Sequence, residues 1–153
     1  MSRRAAPLVA LLLTAAAGAQ TSPPPGGEPR PFTLPEHETV ALANGIDVTL
    51  IPFGRSPKVT VVVTVRTGNL HEGEQTWLAD VTGDLMQEGA GGRSAAQLAT
   101  SFADMGGSLG IGVGMERTSI SADGLAEFAP RMIRELAAVV MTPTLPADQL
   151  ERI

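Results

Sequence analysis

The chain has no cysteine. A disulfide framework, a thiolate metal site, a cysteine nucleophile and a lipid-anchored N-terminal cysteine are therefore all excluded. Stability must come from packing. There is no tyrosine and a single tryptophan, and aromatic residues make up 3% of the sequence, so stacking platforms for bases are almost absent. Beyond Arg3 and Arg4 no cluster of basic residues appears, and the net charge is −5. Both facts argue against a nucleic-acid partner. Histidine is nearly missing too: His37 and His71 are the two in the chain, and neither has a second imidazole at helical spacing. No Gly-x-Ser-x-Gly elbow offers a serine nucleophile.

What is present is a chain of 153 residues with 43% hydrophobic content, enough for one core built from Val, Leu, Ile, Ala and Met. The first 19 residues read as a signal peptide. Arg3 and Arg4 are followed by an apolar run from Ala5 to about Ala17 and by Ala17-Gly18-Ala19, small residues that suit cleavage after Ala19. That run is too short to span a bilayer comfortably, so no stable membrane span is expected after cleavage. A buried N-terminal helix or a membrane anchor is the competing reading. Residues 20–37 are rich in Pro and Gly and read as an extended tether. The expected location is exported, either periplasmic or secreted, and the folded region is expected over residues 38–153.

Within it, "TVALANGIDVTLIP" places two short apolar runs around Asn44-Gly45, a hairpin signal. "KVTVVVTVR" alternates Val59, Val61, Val63 and Val65 against a partly polar second face and predicts a half-buried strand. The stretch "WLADVTGDLMQEGAGG" predicts a helix that stops at Gly89, with Leu78, Val81 and Leu85 as its packing face and Asp80, Asp84 and Glu88 spaced four apart on another. A second helix is expected from Ser94, which forms a capping box with Gln97, and its apolar residues Leu98, Phe102 and Met105 lead to Gly106-Gly107. "SLGIGVG" and "RTSISAD" predict two strands, and a third helix is expected over about Leu125 to Met141, with Pro130 tolerated near its first turn. "TPTLPADQLERI" is expected to break that helix and begin another. This order of strands and helices predicts an α+β fold with a largely antiparallel sheet packed by helices.

Three features invite chemistry. The acidic residues Asp80 and Asp84 read as a solvated face near a positive helix end, as a weak Ca²⁺ or Mg²⁺ site, or as a polar contact with a partner subunit. The glycines of "GSLGIGVG" superficially suggest a phosphate loop, but such a loop needs a strand before it and a helix after it, the reverse of the order here. Alternating glycines also bare one face of a strand, which suits either a docked peptide backbone or a closely packed helix.

Taken together, "LANGIDVTLIP", the Val-rich strand, Arg66-x-Gly68 with Glu72 or Glu74 just beyond, Leu78-Ala79 leading the helix, Gly89, the Ser94 helix, Gly106-Gly107 and the helix ending in "MTPTLP" resemble the N-terminal half-domain of the pitrilysin/insulinase family of zinc metallopeptidases, to which the mitochondrial processing peptidase belongs. The resemblance covers about Val40 to the C-terminus. It implies a metallopeptidase half-domain, C-terminally incomplete, because the family's remaining ligand, a Glu of a later helix, would lie beyond Ile153. The family's inverted motif His-x-x-Glu-His supplies two imidazoles for zinc and a general base between them. On this chain it falls on "DVTGD", where Asp80 and Asp84 stand for the two His and Gly83 for the Glu. The expectation is a degenerate motif with no catalytic residue and no zinc or other cofactor. By the same resemblance, residues Leu109, Gly110, Ile111, Gly112 and Val113 correspond to the edge strand that receives substrate peptide. The function implied is a non-catalytic homologue, the partner or peptide-binding subunit of an active homologous peptidase. Two alternatives stand beside it: part of a functional metalloendopeptidase whose zinc motif lies in a missing C-terminal portion, and a stand-alone peptide-binding module.

Overall fold

A computed structural model describes residues 26–29 and 31–153. The signal-peptide reading and the first part of the tether fall outside those residues. Two compact units divide the chain after Pro52.

In the first unit, β1 (Glu38–Ala41) pairs antiparallel with β2 (Asp47–Leu50) in the register Glu38 to Leu50 through Ala41 to Asp47. The turn closes through Leu42 and Ile46, with the Leu42 N–H donating to the Ile46 carbonyl at 2.8 Å. Gly45 takes the left-handed conformation the turn requires, with φ of 85°. The Asn44-Gly45 signal placed this hairpin correctly.

The second unit, Phe53–Ile153, holds the core. Its sheet has three strands in the order β3 (Lys58–Val65), β7 (Thr118–Leu125), β6 (Leu109–Val113), all antiparallel. Three helices accompany it: α1 (Leu78–Met86), α2 (Ala95–Ala103) and α3 (Ala129–Met141). Period-two alternation decides the faces. Val59, Val61 and Val63 of β3 and Ile120 and Ala122 of β7 point to the helices, where they meet Leu98, Phe102 and Met105 of the second helix region and Met132, Leu136 and Val139 of α3. The opposite face carries Thr60, Val62 and Thr64 against Ser119, Ser121 and Asp123, with Gly110 and Gly112 beyond. This is the α+β architecture the sequence predicts.

The capping box at Ser94 forms as expected, with the Gln97 N–H donating to Ser94 Oγ at 3.4 Å and the Ser94 N–H to Gln97 Oε1 at 2.9 Å. Pro130 lies in the first turn of α3. Three expectations change. The third helix begins at Ala129, because β7 continues to Leu125 and a 3-10 turn fills Ala126–Phe128. After Pro143 and Pro146 only a 3-10 turn forms, Ala147–Gln149. The sequence also did not show a two-residue ribbon, β4 (Gly89–Ala90) with β5 (Arg93–Ser94), which bridges from Ala90 to Pro143 and ties the end of α1 to the end of α3.

No helix among the described residues is long and apolar enough to cross a membrane.

Candidate functional site

The site grows from the loop between β3 and α1. Gly68 is buried where the chain leaves the sheet, and Asn69–His71 form one 3-10 turn. Asn69 Nδ2 donates to Asp80 Oδ2 at 2.7 Å across that turn. The carboxylate of Glu72 accepts two backbone donors at the start of α1, the N–H of Trp77 at 2.9 Å and that of Ala79 at 2.8 Å. A helix leaves its first N–H groups unsatisfied, and a carboxylate there also meets the positive end of the dipole. Trp77 at the N-cap position makes no side-chain cap and sits in left-handed backbone, φ 72°. Glu72 performs the capping from five residues upstream. The sequence placed Glu72 in the family pattern without revealing this role.

The expected packing face of α1 needs correction. Leu78 is 47% exposed, and the buried residues are Gly83 and Leu85. Ala79, Val81 and Met86 are half-buried. Gly83 is covered by β6: a Cβ there would lie 2.7 Å from Val113 Cγ2 and 3.6 Å from Ile111 Cγ2. The helix approaches the strand through the absence of a side chain.

The acidic stripe divides into three different environments. Asp80 is half-buried and held by Asn69, Asp84 is exposed, and Glu88 pairs with Arg152 at 2.5 Å. Asp80 is thus not part of a freely solvated face. Among the described residues no three His, Asp or Glu side chains gather in one place. The residues at 80, 83 and 84 do not fit the zinc site of the family: they bring no imidazole, one carboxylate oxygen already accepts from Asn69, and the central position has no side chain. The His71 Nδ1 accepts from the Gly68 N–H at 3.2 Å.

Strand β6 contains all five residues singled out for peptide docking. Leu109, Ile111 and Val113 are half-buried toward the helices, whereas Gly110 and Gly112 are exposed on the other face. A Cβ at Gly112 would meet nothing within 4 Å, and one at Gly110 would meet only Ser121 Oγ at 3.2 Å. Of the two readings of these glycines, close packing of a helix does not apply to their face; the helix contact belongs to Gly83. Among the described residues β6 has β7 on one side and no strand on the other.

A second polar cluster was not legible in the sequence. Ser101 of α2 is 8% exposed; its hydroxyl donates to Glu135 Oε1 at 3.1 Å and accepts from Arg131 Nη2 at 2.9 Å. Glu135 also forms an ion pair with Arg93 of β5. The hydrogen bond from Arg93 holds the Glu135 carboxyl below the usual carboxylate range against the opposing effect of burial, and the same bond raises Arg93. The cluster fastens α2, α3 and the β4–β5 ribbon to one another.

No protein-family model and no curated protein matches the chain. Solved structures do. An inactive M16 peptidase domain from Pseudomonas fluorescens is 25% identical with a TM-score of 0.70, covering 76% of this chain and 29% of that one. Pitrilysin is 24% identical with a TM-score of 0.65, covering 76% of this chain and 13% of its own. A protease from Helicobacter pylori is 20% identical with a TM-score of 0.70, covering 78% and 29%. The chain thus spans less than a third of the length of each of these proteins. Its antiparallel sheet, its three helices and their order are those of the pitrilysin/insulinase-type (M16) peptidase fold.

Proposed function

We propose that this chain is an exported, non-catalytic homologue of the M16 zinc peptidases that serves as the partner or peptide-binding subunit of an active homologous subunit. The observation that carries the reading is Gly83. At the position the resemblance gives to the general base there is no side chain, and the space one would occupy is taken by Val113. Water activation needs a group to accept its proton, and neither a buried glycine nor its carboxylate neighbours at helix positions 80 and 84 reproduce a base beside two imidazole ligands. No zinc is held at this helix in this reading. The inactive M16 domain among the similar structures supports it.

The peptide-binding part of the proposal rests on β6. An edge strand offers unpaired N–H and C=O groups, and Gly110 and Gly112 keep its outer face free of side chains, so an extended peptide can add alongside. A test combines the purified mature chain with an M16 subunit that retains the intact motif. Alone, the chain is expected to show no chelator-sensitive cleavage of extended peptides; together, cleavage by the active subunit changes in rate or selectivity. A stable monomer that binds no peptide and leaves the active subunit's kinetics untouched overturns the proposal. A second reading, that the chain is part of a longer peptidase whose zinc motif lies in another portion, is favoured by the short span of the similar structures it covers. Chelator-sensitive cleavage by a longer product of the same gene would support that reading instead.

A further inference from the structure

At one end of the β3–β7 ladder the sheet brings two arginines together. The antiparallel register ends at Val65 opposite Thr118, and Arg66 and Arg117 are the residues just beyond that end on the two strands. Like charges brought close together repel. Among the described residues neither guanidinium makes an ion pair, since the two that form use Arg93 and Arg152. Both arginines line one open hollow with Thr64, Leu70, His71 and Glu116.

The backbone beneath is tied in place. The Asn69 N–H donates to the Gly114 carbonyl at 3.1 Å, the Leu70 N–H to the Met115 carbonyl at 2.9 Å, and Thr118 Oγ1 to the Thr67 carbonyl at 2.8 Å. Gly68 is pressed against the same turn, where a Cβ would fall 2.0 Å from the Gly114 oxygen. The strand ends cannot separate to relieve the repulsion without breaking these bonds. Two arginines without an ion-pair partner on a fixed scaffold are a ready site for an anion.

We propose that Arg66 and Arg117 form a carboxylate-binding site that takes an acidic side chain of a peptide. Guanidinium forks match a carboxylate in two parallel hydrogen bonds. The two arginines and Glu116 leave one net positive charge, which one carboxylate balances and a phosphate dianion overfills. Leu70, which lines the hollow and is 62% exposed, offers apolar contact to the residues that flank a carboxylate in a peptide, contact that a free inorganic anion does not use. The site goes beyond the partner reading and lies off β6, so it stands or falls separately from strand addition.

The experiment measures fluorescence anisotropy of a labelled hexapeptide of alternating valine and glutamate, and of its valine and glutamine counterpart, on the full chain at low salt. The acidic peptide is expected to bind at least about tenfold more tightly, the value of a hydrogen bond to a charged group. Arg66→Gln and Arg117→Gln are each expected to remove that preference, to leave the glutamine peptide unchanged and to raise the melting temperature, because each relieves the repulsion. Equal binding of the two peptides, no binding of the acidic one, or an undiminished preference in both variants overturns the site. Displacement of the peptide by inorganic phosphate at far lower concentration than by acetate overturns the choice of a carboxylate. A lowered melting temperature in both variants overturns the uncompensated pair itself.

Discussion

Gly83→Ala asks whether α1 rests on β6 through a missing side chain. Alanine in a helix interior is favoured over glycine by about 1 kcal/mol. Against this, the new Cβ would sit 2.7 Å from Val113 Cγ2. Valine is stiff at χ1, so the methyl cannot simply swing aside, and overpacking of this kind costs about 1–3 kcal/mol. The single substitution is therefore expected to be neutral to destabilising by about 2 kcal/mol. Val113→Ala removes the obstructing methyl, and in that background Gly83→Ala is expected to stabilise by about 1 kcal/mol. The difference between the two backgrounds is the quantity that matters, because it isolates the contact from the propensity. Urea unfolding followed by far-UV circular dichroism, with the slope checked for constancy, gives all four stabilities. A coupling below about 0.5 kcal/mol, the limit of ordinary additivity, would mean that helix and strand do not meet at this point. The packing argument against a base at position 83 would then fail with it.

The same contact bears on restoring the family motif. The triple variant Asp80→His, Gly83→Glu, Asp84→His is expected to lose stability and to show no chelator-sensitive peptide cleavage; such cleavage would refute the non-catalytic reading. Glu72→Gln weakens a charged cap shared by two N–H groups and is expected to cost about 1 kcal/mol in thermal or urea unfolding, whereas the same change at Glu74 is expected to be silent. Glu135→Gln is expected to cost about 1–2 kcal/mol at neutral pH, since the partly exposed pair is worth less than a fully buried one. It is also expected to flatten the acid limb. A glutamate held low by Arg93 contributes stability that is fully present above the ordinary glutamate value of about 4.3 and is lost as the pH falls through the lowered folded value. Stability curves of the two proteins between pH 7 and pH 3 should therefore converge on acidification; parallel curves would show that the carboxylate is not held low.

What the sequence made legible follows from how local each signal was. Asn44-Gly45 needs only a turn, Ser94 and Gln97 only three intervening bonds, and the alternation of Val59, Val61 and Val63 only a pleat, so all were readable from neighbours. Of the face predicted for α1, Leu85 is buried and Val81 half-buried, but Leu78 was misplaced for the opposite reason. Helical spacing favoured Leu78, but β6 lies over Gly83, a position hydrophobic patterning assigns no weight. The Asp80, Asp84 and Glu88 spacing was real, yet one spacing supplied three fates because Asn69, solvent and Arg152 arrive from elsewhere in the chain. Ser101 looked like an ordinary helix residue for the same reason, its partners lying 30 and 34 positions away.

These misses share a direction that sharpens the functional reading. The resemblance located the helix where the family's chemistry would be expected, and helical spacing alone would describe its acidic residues as a solvated surface. The structure instead gives each of the three motif positions its own setting. Asp80 secures the 3-10 turn, and Gly83 admits Val113 to the helix; only Asp84 remains exposed. Asp80 and Gly83 thus belong to the contacts that hold α1 to its entry loop and against β6. In the proposed non-catalytic reading this helix serves packing, and the strand edge of β6 and the arginine pair are the features proposed to hold a peptide.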